Sequence, residues 1–337
     1  MVYDSLLKDF PTSEEVWNLV ARRAIDEANR QVKKGTAVIT DNQWCELETE
    51  MNKLYHQAVE QVPTDKMWQF YISTCMELMA DGSHGQAKTR VQNVFQLFSE
   101  AEKAKLLNED LYKTWVSVLL QAARPKQALS VCKRGTQSFK TSVSLWSEYM
   151  RLQVLNQGKP EKIHNEFSNA LKCVDSKDSL SLWTQWIDWC VASNPGQVGE
   201  VFELSLESCL DIRTPLKEKY VEWAVTTKGI KKARKLYKRL IQARPFAISF
   251  FRKCIDLELT QVKPSVKRAR DLYEAAVDHF GTSHPDLWLD YIRLELQHPC
   301  GKLDTAGELY WRATKSLNGE FTEEFVGLYS LLQAGRI

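Results

Sequence analysis

The stretch Arg268-Ala269-Arg270-Asp271-Leu272-Tyr273-Glu274-Ala275-Ala276, followed after ten residues by Leu287-Trp288-Leu289-Asp290-Tyr291-Ile292-Arg293-Leu294-Glu295, decides the fold. In the first segment a small residue (Ala269) is followed by a ring four positions on (Tyr273) and a second small residue seven on (Ala276). These offsets share one face of an α-helix. In the second segment Trp288 stands three residues before Tyr291, again one helical face. Ser283-His284-Pro285 interrupts the periodicity between them, so the pair reads as two helices joined by a turn. Small residues let the two axes approach closely, and the ring fills the groove between neighbours.

The same pair recurs outward from this stretch. Ring-bearing helices appear at Val16-Trp17, Met67-Trp68…Tyr71, Leu111-Tyr112…Trp115, Leu145-Trp146…Tyr149, Leu182-Trp183…Trp186 and Phe250-Phe251…Cys254. Helices with the 0, 4, 7 signature appear as Ala128…Cys132…Gly135, Ile163…Phe167…Ala170, Val198…Phe202…Ser205 and Ala306…Tyr310…Ala313, and Ala233…Tyr237…Leu240 keeps the first two positions. With Trp17, Trp68, Tyr112, Trp146, Trp183, Lys217, Phe251, Trp288 and Phe325 taken as equivalent, the spacings are 51, 44, 34, 37, 34, 34, 37 and 37 residues. Lys217 is the outlier, although Tyr220 keeps the second ring position.

Two helices per ~35 residues, repeated about eight times, predict an all-α protein: a right-handed α-solenoid of helix-turn-helix units that bury their apolar faces by stacking. Residues 1–337 are expected to form one array, with insert-like loops near 30–43 and 80–88. The tryptophans at repeat positions are expected in the core. Trp189 and Trp223 fall outside the primary frame and are the better candidates for groove or surface roles. Val2 to Phe10 reads as the second helix of a repeat with no first helix before it.

Composition supports a packed helical chain. Of 337 residues 44% are apolar, and 14 Gly with 10 Pro argue against disordered, collagen-like or turn-rich β architectures. No run approaches the ~18 apolar residues of a membrane span, and the acidic N-terminus lacks the basic region of a signal peptide. Eight scattered cysteines form no CxxC pair and suit small buried hydrophobes in a reducing compartment. His84, His279 and His284 have no Cys/His cluster around them, so no metal is expected, and no cofactor either.

Net charge is only +2, but it is unevenly distributed. Between Lys228 and Arg270 stand 14 basic residues against Asp256 and Glu258, a net +12 that leaves −10 for the rest of the chain. Around 230–244 Ala233, Leu236, Tyr237 and Leu240 form the apolar stripe, which places Lys231, Lys235, Lys238 and Arg239 on other faces. The candidate residues for binding RNA or an acidic partner are Lys231, Lys232, Lys235, Lys238, Arg239, Arg244, Lys263, Lys267, Arg268 and Arg270. A contact with phosphate or an acidic peptide explains such a concentration. A solvated basic face without a partner explains it too. No ring is reserved for stacking, so base-specific readout is not supported.

The paired signatures resemble half-a-tetratricopeptide (HAT) repeats, found in RNA-processing proteins. Arg268 to Ala276 with Leu287 to Glu295 is close to that pattern, as is Lys232-Ala-Arg-Lys-Leu-Tyr237-Lys-Arg-Leu240. The acid that ends the ring-bearing motif survives as Glu258 and Glu295, while Cys75, Leu119, Gln153 and Cys190 stand there elsewhere. Along its whole length the chain resembles the C-terminal part of the U-three small nucleolar RNA-associated HAT-repeat family of the small-subunit processome. The resemblance implies a non-enzymatic scaffold in the nucleolus of the nucleus, acting in pre-18S ribosomal RNA processing. It also implies WD-repeat propeller proteins as partners, with contacts extending to U-three snoRNA and pre-ribosomal RNA. The chain is expected to lack an N-terminal portion that this family possesses. The alternative is a HAT-repeat scaffold of a splicing or pre-mRNA 3′-end-processing complex. An enzyme is disfavoured, because the sequence offers no Gly-rich phosphate loop, metal-ligand cluster or nucleophile elbow. The paired acids Glu14-Glu15 and Glu323-Glu324 look like first-turn helix residues.

Overall fold

A computed structural model of the chain describes residues 2–36, 38–80 and 87–335. The described residues form eighteen α-helices and one short 3-10 turn, with no strand among them. They fall into two compact units, Met1–Val174 and Asp175–Ile337.

The first unit holds α1 (Val2–Asp9), α2 (Glu14–Lys33), α3 (Asp41–Gln61), α4 (Asp65–Ala80), α5 (Ala87–Lys103), α6 (Glu109–Gln121), α7 (Pro125–Ser138), α8 (Val143–Leu155) and α9 (Pro160–Cys173). The second begins with the 3-10 turn Ser176–Asp178. It continues with α10 (Leu180–Ser193), α11 (Val198–Ser205), α12 (Leu210–Lys228), α13 (Ile230–Gln242), α14 (Ile248–Leu259), α15 (Val266–Phe280), α16 (Pro285–Gln297), α17 (Leu303–Ser316) and α18 (Gly319–Gln333). Even-numbered helices carry the ring frame and pack as hairpins with the odd-numbered helix that follows: α2 with α3, α6 with α7, α12 with α13, α14 with α15, α16 with α17. Successive hairpins then stack, α12 on α14 and α16 on α18.

Local chemistry sets the helix ends. Ser13, Asn108 and Ser142 cap α2, α6 and α8 by accepting a backbone N–H with their side chains. Thr40 and Gln43 form a capping box at α3. Pro125, Pro160 and Pro285 open α7, α9 and α16, where a missing N–H costs nothing. Helix α2 runs on to Lys33 and α3 starts at Asp41, so much of the expected insert at 30–43 is helical. The second insert, 80–88, lies largely outside the described residues, His84 included. Glu14 and Glu15 do open α2, whereas Glu323 and Glu324 sit in the second turn of α18.

The 0, 4, 7 faces are the core. Ala128, Cys132, Phe167, Ala170, Val198, Phe202, Ser205, Ala233, Ala269, Ala276 and Ala313 are all fully buried. The ring of one hairpin's second helix stacks on the next ring-bearing helix: Tyr55 on Tyr71 at 4.7 Å, Phe202 on Tyr220 at 4.5 Å, Tyr273 on Tyr291 at 4.7 Å. Such pairs add to the stabilisation from buried area. Gly135 shows why the seventh position is small, because a Cβ there would fall 3.2 Å from Tyr112 Cδ1.

The frame tryptophans are buried as expected. Several also tie down the turn before their helix: the indole N–H of Trp17 donates to the Pro11 carbonyl, that of Trp146 to Lys140 and that of Trp288 to Gly281.

Candidate functional site

Three helices of the second unit, α13 to α15, carry the basic window. Burial of Ala233, Tyr237 and Leu240 against the hairpin leaves Lys231, Lys232, Lys235, Lys238 and Arg239 exposed on α13. On α15, burial of Val266, Ala269, Leu272 and Tyr273 exposes Lys267 and half-exposes Arg268 and Arg270. Arg244 and Lys263 are exposed in the connections on either side of α14.

The arginines of the window divide by partner. Arg234 on α13 donates from Nε and Nη2 to both oxygens of Glu258 on α14, at 2.8 and 2.6 Å, and the Tyr237 hydroxyl donates to the same carboxylate at 2.6 Å. Burial pushes the Glu258 pKa up, but these donors outweigh it and hold the carboxyl below its ordinary range. Arg270 holds Glu295 of α16 in the same way. Arg252 pairs with Asp286 and Asp290, and Lys253 pairs with Glu222. Arg239 donates to Glu203 of α11 at 2.5 and 3.1 Å. Thus Arg239 and Arg270, both among the candidates, are occupied by carboxylates of the protein itself.

The groove between α13 and α15 gathers Lys238, Lys267 and Arg268, together with Gln242 and Asp271, around a cavity of about 470 Å³. Lys235 and Lys231 lie three and seven residues before Lys238 on the same helix and so extend the line of charge along α13. Among the described residues none of Lys231, Lys235, Lys238, Lys267 and Arg268 forms an ion pair. Arg244 and Lys263 lie outside this groove.

Sequence reasoning missed two features. The first is Lys217, the outlier of the ring frame, which is 1% exposed. Its ammonium donates to the carbonyls of Leu240 (3.2 Å), Pro245 (3.1 Å) and Ala243, and so satisfies the C-terminal end of α13. Burial, helped by the neighbouring Arg213, lowers its pKa to about 8. A lysine at an apolar frame position was the available signal. The second is a recurring Glu–Tyr–Arg triad that links alternate helices. Glu102 accepts from Tyr112 and Arg134, Glu203 from Tyr220 and Arg239, and Glu274 from Tyr291 and Arg312.

Trp189 is 6% exposed and part of the core, contrary to its expected surface role, because α10 buries rings on more than one side. Trp223 does line a groove, where Lys228 lies 4.5 Å over its ring. His279 stacks on Phe246 at 4.3 Å, and His284 Nδ1 lies 2.9 Å from the Ser283 hydroxyl. Among the described residues no group of three His, Cys, Asp or Glu side chains is placed to hold a metal ion, and no helix is long and apolar enough to cross a membrane. Cys75, Cys132, Cys190 and Cys254 are buried, while Cys45, Cys173 and Cys300 are exposed.

The family model described as U3 small nucleolar RNA-associated protein 6 C-terminal matches residues 49–317. A mouse protein named U3 small nucleolar RNA-associated protein 6 homolog is 35% identical over 344 residues, covering 99% of this chain and 57% of the relative. The human homolog is 33% identical over 345 residues, covering 100% of this chain and again 57% of the relative. The chain therefore spans little more than half the length of these relatives. Among solved structures, the C-terminal part of a TPR repeat-containing protein from Cytophaga hutchinsonii aligns with 73% of this chain and 95% of its own, at 11% identity and a TM-score of 0.35.

Proposed function

The chain belongs to the U3 small nucleolar RNA-associated protein 6 C-terminal family, and from that membership we propose that it is a non-catalytic helical-repeat scaffold of the small-subunit processome. On this reading it resides in the nucleolus and supports the processing of pre-18S ribosomal RNA. Its partners are WD-repeat propeller proteins of the same assembly, together with U3 snoRNA and pre-ribosomal RNA. The observation that carries the reading is the family match across 49–317, which takes in nearly all of the helical hairpins. The physical logic is geometric: stacked hairpins present extended helical surfaces on which several partners are held in fixed relation. The unpaired cations of α13 and α15 supply an anionic partner's contact without any need for catalysis.

Tagging the protein in cells and fractionating the extract on a gradient tests this reading. Co-sedimentation with U3 snoRNA, nucleolar fluorescence and accumulation of 18S precursors on depletion are expected. Recovery of spliceosomal RNA or of pre-mRNA 3′-end-processing factors in place of U3 snoRNA would overturn it.

A further inference from the structure

We infer that the groove between α13 and α15 is a sequence-independent binding site for the RNA phosphodiester backbone, held by Lys238, Lys267 and Arg268 and extended along α13 by Lys231 and Lys235. The inference rests on the scaffold reading for its setting and on the geometry of this groove for its content.

The cations here are separated by function. Arg234, Arg239 and Arg270 are each taken by a carboxylate in a two-pronged contact. Those planar forks suit a fixed, two-oxygen acceptor. What remains is mainly lysine, a mobile point charge that accepts phosphate in many orientations. Among the described residues Lys231, Lys235, Lys238, Lys267 and Arg268 stay without an ion pair along one face of α13 and across one groove, and the groove lining offers a single carboxylate, Asp271, against them. Like charges held this close repel one another, and a polyanion with a charge at each nucleotide relieves that repulsion along the whole line. Lys231, Lys235 and Lys238 span roughly 10 Å of helix axis at about 1.5 Å per residue, which suits consecutive phosphates better than one acidic side chain. The ring in the groove, Tyr237, is 3% exposed and offers no face to a base, so the contact reads charge and not sequence.

The test uses the 337-residue chain and a fluorescein-labelled oligouridylate of about 20 nucleotides, with polyglutamate as competitor. The variant Lys238→Glu/Lys267→Glu/Arg268→Glu is compared with Lys103→Glu/Lys126→Glu/Lys162→Glu, which makes the same change in net charge on exposed lysines of the first unit. Circular dichroism verifies folding, and Lys238→Ala/Lys267→Ala replaces the groove variant if reversal unfolds the chain. The groove variant should bind at least about tenfold more weakly, and its log–log salt slope should fall by about 2, because three cations no longer neutralise phosphates. The control should stay close to the wild type. Equal weakening in both variants overturns the site. So does polyglutamate displacing RNA at equal charge concentration, which would make the groove a peptide contact. Failure of the tagged protein to sediment with U3 snoRNA would refute the scaffold reading alone, because the oligonucleotide measurement decides the groove independently.

Discussion

Arg270 on α15 grips Glu295 on α16 through two parallel hydrogen bonds, Nε to Oε1 at 2.6 Å and Nη2 to Oε2 at 2.8 Å, and the Glu295 side chain is wholly shielded from solvent. The Lys302 amide donates to the same carboxylate at 2.9 Å, and Arg270 also reaches the Cys300 carbonyl at 3.0 Å. One side chain thus secures the next helix and the turn that leaves it. Removing the guanidinium would strand a buried charge, so Arg270→Ala should destabilise the protein by about 3 kcal/mol. Arg268→Ala, two residues earlier, should stay within about 0.5 kcal/mol, as expected of a partly exposed side chain without an ion pair. Urea denaturation followed by circular dichroism distinguishes them, and equal destabilisation would refute the structural role assigned to Arg270.

Acid should act through the same carboxylates. Burial raises the pKa values of Glu258 and Glu295, but hydrogen bonds from Arg234 and Arg270 bring them below the ordinary carboxylate value of 4.5. The unfolded chain then binds protons before the folded one does, so this stabilisation is complete above the ordinary value and is lost as the pH falls through the folded values. Glu258→Gln should flatten the acid limb of a stability–pH curve. A limb of unchanged steepness would count against the pair.

At alkaline pH the controlling group is Lys217. It titrates at about 8 in the folded chain against 10.5 for an unburied lysine. Just above the folded value the unfolded chain holds the additional proton, so stability should rise as the pH increases from about 8 towards 9. Above that range the trend reverses, because burial raises the pKa values of the Cys75, Cys132 and Cys190 thiols and of the Tyr220 and Tyr237 hydroxyls, and their unfolded forms ionise first. Lys217→Met should remove the rise. Urea midpoints at several pH values from neutral upward would show it, and a rise that persists in the variant would sink the assignment.

The Glu–Tyr–Arg triads should contribute little by comparison. Arg312 and Glu274 are 47% and 40% exposed, where solvent screens the pair. A double-mutant cycle between Arg312→Ala and Glu274→Ala should give a coupling below about 1 kcal/mol. A value near that of a buried pair would mean the triads bear on stacking.

Thiol chemistry provides an independent check of burial. Burial pushes the Cys75 and Cys132 thiols up to about 12 and Cys190 to about 11. Since the thiolate is the nucleophile, iodoacetamide on the native protein should label Cys45, Cys173 and Cys300 and spare these three. Labelling of Cys132 before unfolding would contradict the packing of α7.

The hairpins are legible in the sequence because their signal is periodic. Ala269, Tyr273 and Ala276 predict a helical face from spacing alone, and Trp288 with Tyr291 predicts its partner. The occupied arginines are not legible in the same way. Charge in a sequence says nothing about the carboxylate it meets 24 or 25 residues later, and counting basic residues therefore places Arg270 and Arg239 beside Lys238 as equals. A trace is present: Arg234 and Arg270 each follow the first small residue of their motif, and Glu258 and Glu295 each end the next. Lys217 is hidden for a different reason. Its burial depends on three carbonyls that converge only after α13 has ended and the chain has turned back.

The placement of the eleven tryptophans gives the molecule an optical asymmetry. Nine indoles lie in the interior, Trp223 is partly covered, and Trp311 on α17 is 65% open to water. Emission from the folded chain therefore arises mostly from sheltered chromophores, while a soluble quencher such as iodide reaches chiefly Trp311. A partner seated over α17 would hide that ring and leave the remaining fluorescence unchanged, so the native sequence carries its own reporter for that surface.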